Sequence, residues 1–287
     1  MGARAWTAVG VVVLLVSGLT AGSASAGSVD VWGKGDRTCV PGPKANCRDI
    51  VHKWQAEHHG DLRGAKFARA KLHGADLRGA TLDGANLRGV RLRHAHLQEA
   101  SLRDVDLSPA ARRGTAPRST PSCDPNCESA NLAGADLTGA DLTGADFMEA
   151  ILNAATLIDA TLDTAVFDGA TLIGANATGA NATQARFYEA NLWNVNFSGA
   201  ILTSALFDDA NLSNANLMGA DLTSAGLTGA NLTMAFLNNA NLANVDLTGA
   251  NLTQANLTGV DLTGAILTDV VWSETICPDG TMTNSGC

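Results

Sequence analysis

Ala135-Asp136-Leu137-Thr138-Gly139 and Ala140-Asp141-Leu142-Thr143-Gly144 are consecutive copies of a five-residue unit. From Ala130 to Val270 every position divisible by five holds Ala or, occasionally, Val; two places later stands Leu or Phe, except at Ala177 and Ala182. Asp or Asn usually sits between them, and the same phase runs from Gly60 through Leu107. A helix needs apolar positions at a period near 3.6, and a five-residue repeat smears them around its axis. A simple strand alternates with period two, and five is odd, so one residue per unit must turn a corner. The consistent solution is a coil in which each unit is one short side plus a bend. Ala and Leu point inward and the other three residues outward. One unit cannot bury its Leu alone, so the coils must stack.

A second pattern counts the sides. Phe147, Phe167, Phe187 and Phe207 occupy the Leu position at intervals of twenty residues, which is four units. Four sides per coil place these rings in one column, about 4.8 Å apart, as in any β ladder. Phe197 follows Ala177 by the same interval, so the small residue makes room for a ring one coil away. The unit Ala-Asp/Asn-Leu-Thr-Gly resembles the pentapeptide repeat family over residues 60–107 and 130–270. The resemblance implies an all-β fold, the right-handed quadrilateral β-helix, in agreement with the four sides read from the Phe column.

The rest of the chain differs in composition. Residues 1–26 have the form of a secretory signal peptide: Arg4, a short apolar run from Val9 to Leu19, and Ala24-Ser25-Ala26 before Gly27. That run is too short for a stable membrane span. Residues 27–59 read as an N-terminal cap with a short helix, its Ile50, Val51 and Trp54 on one face. A solenoid end exposes unpaired edges and open core, so a cover is expected. Residues 108–129 break the repeat, carry Arg112, Arg113 and Arg118, and read as an exposed loop. Residues 271–287 read as a C-terminal cap: Trp272 in the Leu phase closes the core, and Cys277-Pro278-Asp279-Gly280 begins a looped lid similar to that of exported family members. The six cysteines form three local pairs, and an exported chain favours disulfides Cys39–Cys47, Cys123–Cys127 and Cys277–Cys287. The spacing of Cys123 and Cys127 is nearly zinc-like, but two thiols make only half a metal site.

Charge splits the repeats. The first block has nine basic residues against six acidic ones, and Arg63, Asp83 and Arg103 are spaced to alternate on adjacent coils. The second block has fourteen acidic residues and only Arg186 basic. Family members that protect bacterial gyrase from quinolones present an acidic solenoid resembling DNA; here many equivalent positions are Asn, and the chain reads as exported. A column from Thr143 to Thr263 resembles an ice-binding file, but its companion from Asp141 to Asp261 is mixed and charged. His73, His94 and His96 point outward without a metal-ligand pattern.

No nucleophile–base pair, phosphate loop or dinucleotide fingerprint occurs in the chain. A packed coil offers flat faces rather than a cleft, so neither an enzyme nor a cofactor is expected. The candidate contact patch is apolar: Trp193 one coil above Ile173, and Tyr188 two coils above Met148, on adjacent faces. It is expected to meet a macromolecular partner or a second copy of the chain, not nucleic acid. Thr223, also outward, is expected to tolerate Asp. Export predicts that N-terminal sequencing of the protein recovered from culture supernatant starts at Gly27; a mature chain starting at Met1 or Gly2 refutes it.

Overall fold

The computed structural model describes residues 62–107, apart from 69, 73, 74, 76, 88, 89, 91, 93, 94, 98, 99 and 106, and residues 127–287. The expected signal peptide, the N-terminal cap with Cys39 and Cys47, and Cys123 lie outside the described residues. Each coil has four sides, and each side contributes one residue to a parallel bridge. Asp141, Thr161, Asn181, Ile201, Asp221, Asn241 and Asp261 face one another in turn, always twenty residues apart. Three similar columns run through Asp146, Asn131 and Asp136. Between coils, the Leu142 N–H donates to the Thr161 carbonyl at 2.7 Å and the Gly144 N–H to that of Asp163 at 2.8 Å. At each corner the chain turns over four residues, as where the Ala145 N–H returns to the Leu142 carbonyl.

The third residue of each such turn has positive φ, as in type II turns. Glycine accepts this without strain, and Gly144 has φ 62°. Thr164, a β-branched residue, is held there at φ 56°, a conformation it strongly disfavours. Gly179, at φ 67°, answers a different demand: a Cβ there would lie 2.5 Å from Asp159 Oδ1 on the coil below.

The interior matches the sequence pattern. Every described Ala- and Leu-phase residue from Leu62 to Val260 is buried. Phe147, Phe167, Phe187 and Phe207 stack with centroids 4.9, 5.0 and 4.8 Å apart and planes within 4°. Phe197 rises directly over Ala177, whose N–H donates to the Asn196 carbonyl. It meets Phe187 edge-on at 5.9 Å.

The two blocks form one continuous solenoid. His96 faces Asn131 and Ser101 faces Asp136, thirty-five residues on instead of twenty. The chain therefore spends fifteen extra residues between Leu107 and Cys127, then resumes the same coil. Cys127 departs from expectation. It is fully buried, its thiol is free, and its N–H donates to the Asp146 carbonyl beneath Phe147. It thus occupies a Leu-phase position at the foot of the Phe stack, not an exposed disulfide loop. Burial, with the carboxylate of Asp146 second, pushes its thiol far above the ordinary range.

At the other end, Cys277–Cys287 is bonded as expected, with Cα atoms 5.4 Å apart. It closes a small hairpin of β1 (Thr275–Ile276) and β2 (Met282–Thr283), antiparallel, with Thr275 opposite Thr283. Trp272 is buried, the Thr275 hydroxyl donates to the Leu252 carbonyl, and Asn284 Oδ1 accepts from the Glu274 N–H. The closure is incomplete: Leu262, Ala265, Leu267 and Val270 remain only partly buried. Val271 and Ile276 pair onto Asn251 and Asn256 as the last rungs of their columns, whereas no described bridge lies above Asp261 or Ile266.

Thermal or chemical unfolding checks these assignments. Phe187→Ala, which empties a position stacked on both faces, should cost about 3–5 kcal/mol. Leu217→Asp buries an unpaired charge and should prevent stable folding of its coils. Thr164→Gly should instead raise stability by about 0.5–1 kcal/mol, because relief of the left-handed strain outweighs the added chain entropy.

Candidate binding faces

The outward Asp and Asn residues serve the corners. Asn231 Oδ1 accepts the Thr233 N–H at 3.1 Å and its hydroxyl at 2.6 Å. Asp246 does the same for Thr248 at 2.9 and 2.6 Å, and Asp221 for Thr223 at 3.0 and 2.5 Å. Such Asx turns need one side-chain carbonyl oxygen, which Asp and Asn both supply. The fold therefore does not require acidity at these positions. Thr223 also accepts from Asn241 Nδ2 at 2.9 Å. Asp at 223 would set a second carboxylate against Asp221, so the structure leads to the expectation that Thr223→Asp destabilises at neutral pH.

Hydrogen bonds set the acid–base behaviour of these carboxyls. The Thr248 hydroxyl and N–H hold Asp246 below its ordinary 3.8 against slight burial, and Thr263 acts likewise on Asp261. Asp168 behaves oppositely. Burial raises its pKa, opposed by the Arg186 guanidinium and the Tyr188 N–H. Arg186 pairs with Asp168 and lies 5.2 Å over the Tyr188 ring, a cation–π contact. The acidic block's single cation is thus engaged within its own face. In the first block, Arg103 reaches Asp136 at 3.3 Å, while Asp83 accepts from the Arg103 backbone N–H and the Ser101 hydroxyl. The expected Asp83–Arg103 side-chain rung is replaced by these contacts.

The candidate apolar residues fall on two successive corners that bound a single side, the one carrying Ile151, Thr171 and Asn191. Trp193 is 44% exposed, and Ile173, one coil below, is half-buried. On the opposite edge, Met148 is exposed and Tyr188 half-buried under Arg186, with Asp168 between them. Ile151, exposed on the side itself, joins the two edges. The adjacent-face reading thus becomes two edges of one face.

A second region escaped the sequence reading. Phe236 (49% exposed), Met218 and Met234 stand out on the next side around the coil. Phe236 occupies a slot usually held by Asn or Asp, and that departure was the available signal. Phe236 and Met218 end an open groove of about 520 Å³ floored by Asn176, Asn196 and Asn216. Among the described residues no group of His, Cys, Asp or Glu is placed to hold a metal ion, and no helix is long and apolar enough to cross a membrane.

The family model "Pentapeptide repeats" matches in eight copies, over residues 59–84, 70–108, 126–163, 165–203, 200–239 and 235–269. Among solved structures, the chain is similar to HetL, a pentapeptide repeat protein involved in heterocyst differentiation regulation from the cyanobacterium Nostoc sp. strain PCC 7120. The identity is 32%, with 78% of this chain and 92% of that chain covered and a TM-score of 0.40. Rfr23, a pentapeptide repeat protein from the cyanobacterium Cyanothece 51142, is 41% identical over 33% of this chain and 59% of its own, with a TM-score of 0.20. QnrB1, a plasmid-mediated fluoroquinolone resistance protein, is 18% identical over 73% of this chain and 84% of its own, with a TM-score of 0.35. No curated protein matches the chain.

The acid–base prediction follows from the Asx turns. Asp246 has a folded-state pKa below its unfolded one, so its stabilisation is present above 3.8 and is lost as pH falls through the lowered value. Asp246→Asn keeps the turn, as Asn231 shows. It should leave the neutral-pH melting temperature nearly unchanged and reduce its fall on acidification. An equal fall in both proteins would contradict this.

Proposed function

The chain belongs to the pentapeptide repeat family, whose members fold as right-handed quadrilateral β-helices, and from that premise we propose that it is an exported, non-catalytic solenoid that binds another macromolecule. The observation that carries the binding face is the concentration of Met148, Ile151, Ile173, Tyr188 and Trp193 around one side whose other rungs are mainly Asn. Their side chains project from corners and, at Ile151, from a side, all tied to neighbouring coils, so little order has to be gained on binding. Large aromatic groups so placed are common interface anchors. The engaged Arg186–Asp168 pair supplies a polar rim beside them. Export is supported by the Ala24-Ser25-Ala26 motif behind the apolar run and is compatible with the Cys277–Cys287 disulfide.

A second reading, an acidic mimic of DNA that occupies a DNA-binding protein such as gyrase, is favoured by fourteen acidic residues against one basic residue in the second block. It requires the chain to act in the cytoplasm. Against it, Asp occupies turn positions that Asn fills equally well, so the acidity is discontinuous along each column.

Trp193→Ala tests the leading reading. It should weaken association with a partner, or with a second copy, by roughly 2 kcal/mol or more, while leaving the melting temperature nearly unchanged. Sedimentation of both forms across concentration reads self-association. A comparison of proteins captured by each form from the native extracellular fraction reads a heterologous partner. Monomeric behaviour in both forms together with identical captures rejects this face. A sharp drop in melting temperature shows Trp193 to be a packing residue instead.

A further inference from the structure

The groove above Asn176, Asn196 and Asn216 is on a different side from the Trp193–Tyr188 face and is built differently. Asn176 Oδ1 accepts the Thr178 N–H and hydroxyl at 3.2 and 2.7 Å. Asn196 Oδ1 accepts the Ser198 N–H at 3.1 Å, and Asn216 Oδ1 the Met218 N–H at 3.1 Å. With each carbonyl oxygen held in its turn, the Nδ2 amino group is the end turned outward. On the preceding side these amino groups are used internally: Asn211 Nδ2 donates to Asn191 Oδ1 at 3.3 Å and Asn231 Nδ2 to Asn211 Oδ1 at 3.4 Å. In the groove the three Nδ2 groups make no hydrogen bond within the described residues. Two further amides, Asn194 and Asn214, line its corner at φ 56° and 59°.

The choice of amides exceeds what the fold needs. Asp would make the same turns, and Asp stands in the neighbouring columns at Asp141, Asp221 and Asp246. None of the residues lining the groove is charged, although the surrounding block is strongly acidic. At its end, exposed Phe236 and Met218 provide an apolar platform. The groove therefore presents N–H donors repeating one coil apart, at about 4.8 Å along the axis, and then an aromatic ring.

We propose that this groove binds a neutral polysaccharide strand lying along the solenoid axis. Hydroxyl and ether oxygens recur along such a strand and accept from the amide ladder, while the C–H face of a sugar ring packs on Phe236. A peptide suits the groove less well. Its backbone needs acceptors as well as donors, and strand addition needs a free sheet edge. Here the backbone is already paired between coils, as where the Asn196 N–H donates to the Ala175 carbonyl and the Asn216 N–H to that of Val195. An anionic polymer, whether nucleic acid or uronate, is repelled by the acidic block.

Isothermal titration of the full chain with cellohexaose, chitohexaose, laminarihexaose and maltohexaose, beside oligogalacturonate as an anionic control, tests the proposal. At least one neutral hexasaccharide should bind and the uronate should not. Asn196→Asp retains Oδ1 and its turn but replaces the outward donor with a carboxylate oxygen. It should lower affinity by roughly tenfold or more at unchanged melting temperature. Phe236→Ala, at an exposed position, should lower affinity to a similar degree. Binding by none of the four neutral sugars, a preference for the uronate, or affinity unaffected by both substitutions overturns the proposal. Trp193→Ala should not change the titration, so its outcome and that of the preceding reading are separable.

Discussion

The structure depends on backbone pairing between coils. Each short side exchanges hydrogen bonds with both neighbours: the Leu162 N–H donates to the Asn181 carbonyl on the coil above at 2.5 Å and the Thr161 N–H to the Ala140 carbonyl on the coil below at 2.9 Å. Because every side has the same two neighbours, the register must equal one full turn of the chain, and that turn is twenty residues. The pairing separates successive coils by the inter-strand distance, which is also a good distance for offset-stacked rings. The Phe column is therefore a consequence of backbone geometry, and its centroids repeat at that spacing.

The corners carry the cost of this arrangement. Four turns per coil each need a residue with positive φ, and many of these residues are not glycine. The Asx oxygen three residues before the turn's strained position, as Asn231 stands before Met234, offsets part of that cost by holding the chain in the bend. It also decides which end of each amide reaches solvent. A structural device thereby sets surface chemistry: a column of Asn presents donors, whereas Asp in the same slots presents charge. Both candidate faces hold their Asn oxygens in such turns and differ in what the Nδ2 groups meet. One uses its amides in an internal ladder and offers hydrophobic edges; the other leaves its amides facing outward beside an aromatic ring.

The ends obey the same constraint differently. A coil with no successor leaves donors unpaired and core exposed. The Cys277–Cys287 hairpin closes this end, with Asn284 capping the Glu274 N–H. Leu262 and Leu267, on the sides without a described rung above them, are only partly buried. The interruption between Leu107 and Cys127 is accommodated without loss of register, because the chain rejoins the column it left.

The repeat alone determined the number of sides, the inward Ala and Leu phases, the Phe column and the match of Phe197 to Ala177. All follow from a period of five and from which residues are apolar, both local properties of the chain. The C-terminal disulfide was legible from spacing for the same reason. What only the tertiary structure decided depends on contacts across coils. Cys127 looked like part of an exposed loop because its neighbours break the repeat, yet pairing with Asp146 draws it into the core. Arg103 turned to Asp136 because the insertion changes which residue lies above it. Trp193 and Tyr188 proved to edge one face, and the groove beside Phe236 emerged only when residues twenty apart were brought together on adjacent coils. A sequence period names the neighbours in a solenoid, but it leaves open which polar atoms those neighbours consume and which they leave for a ligand.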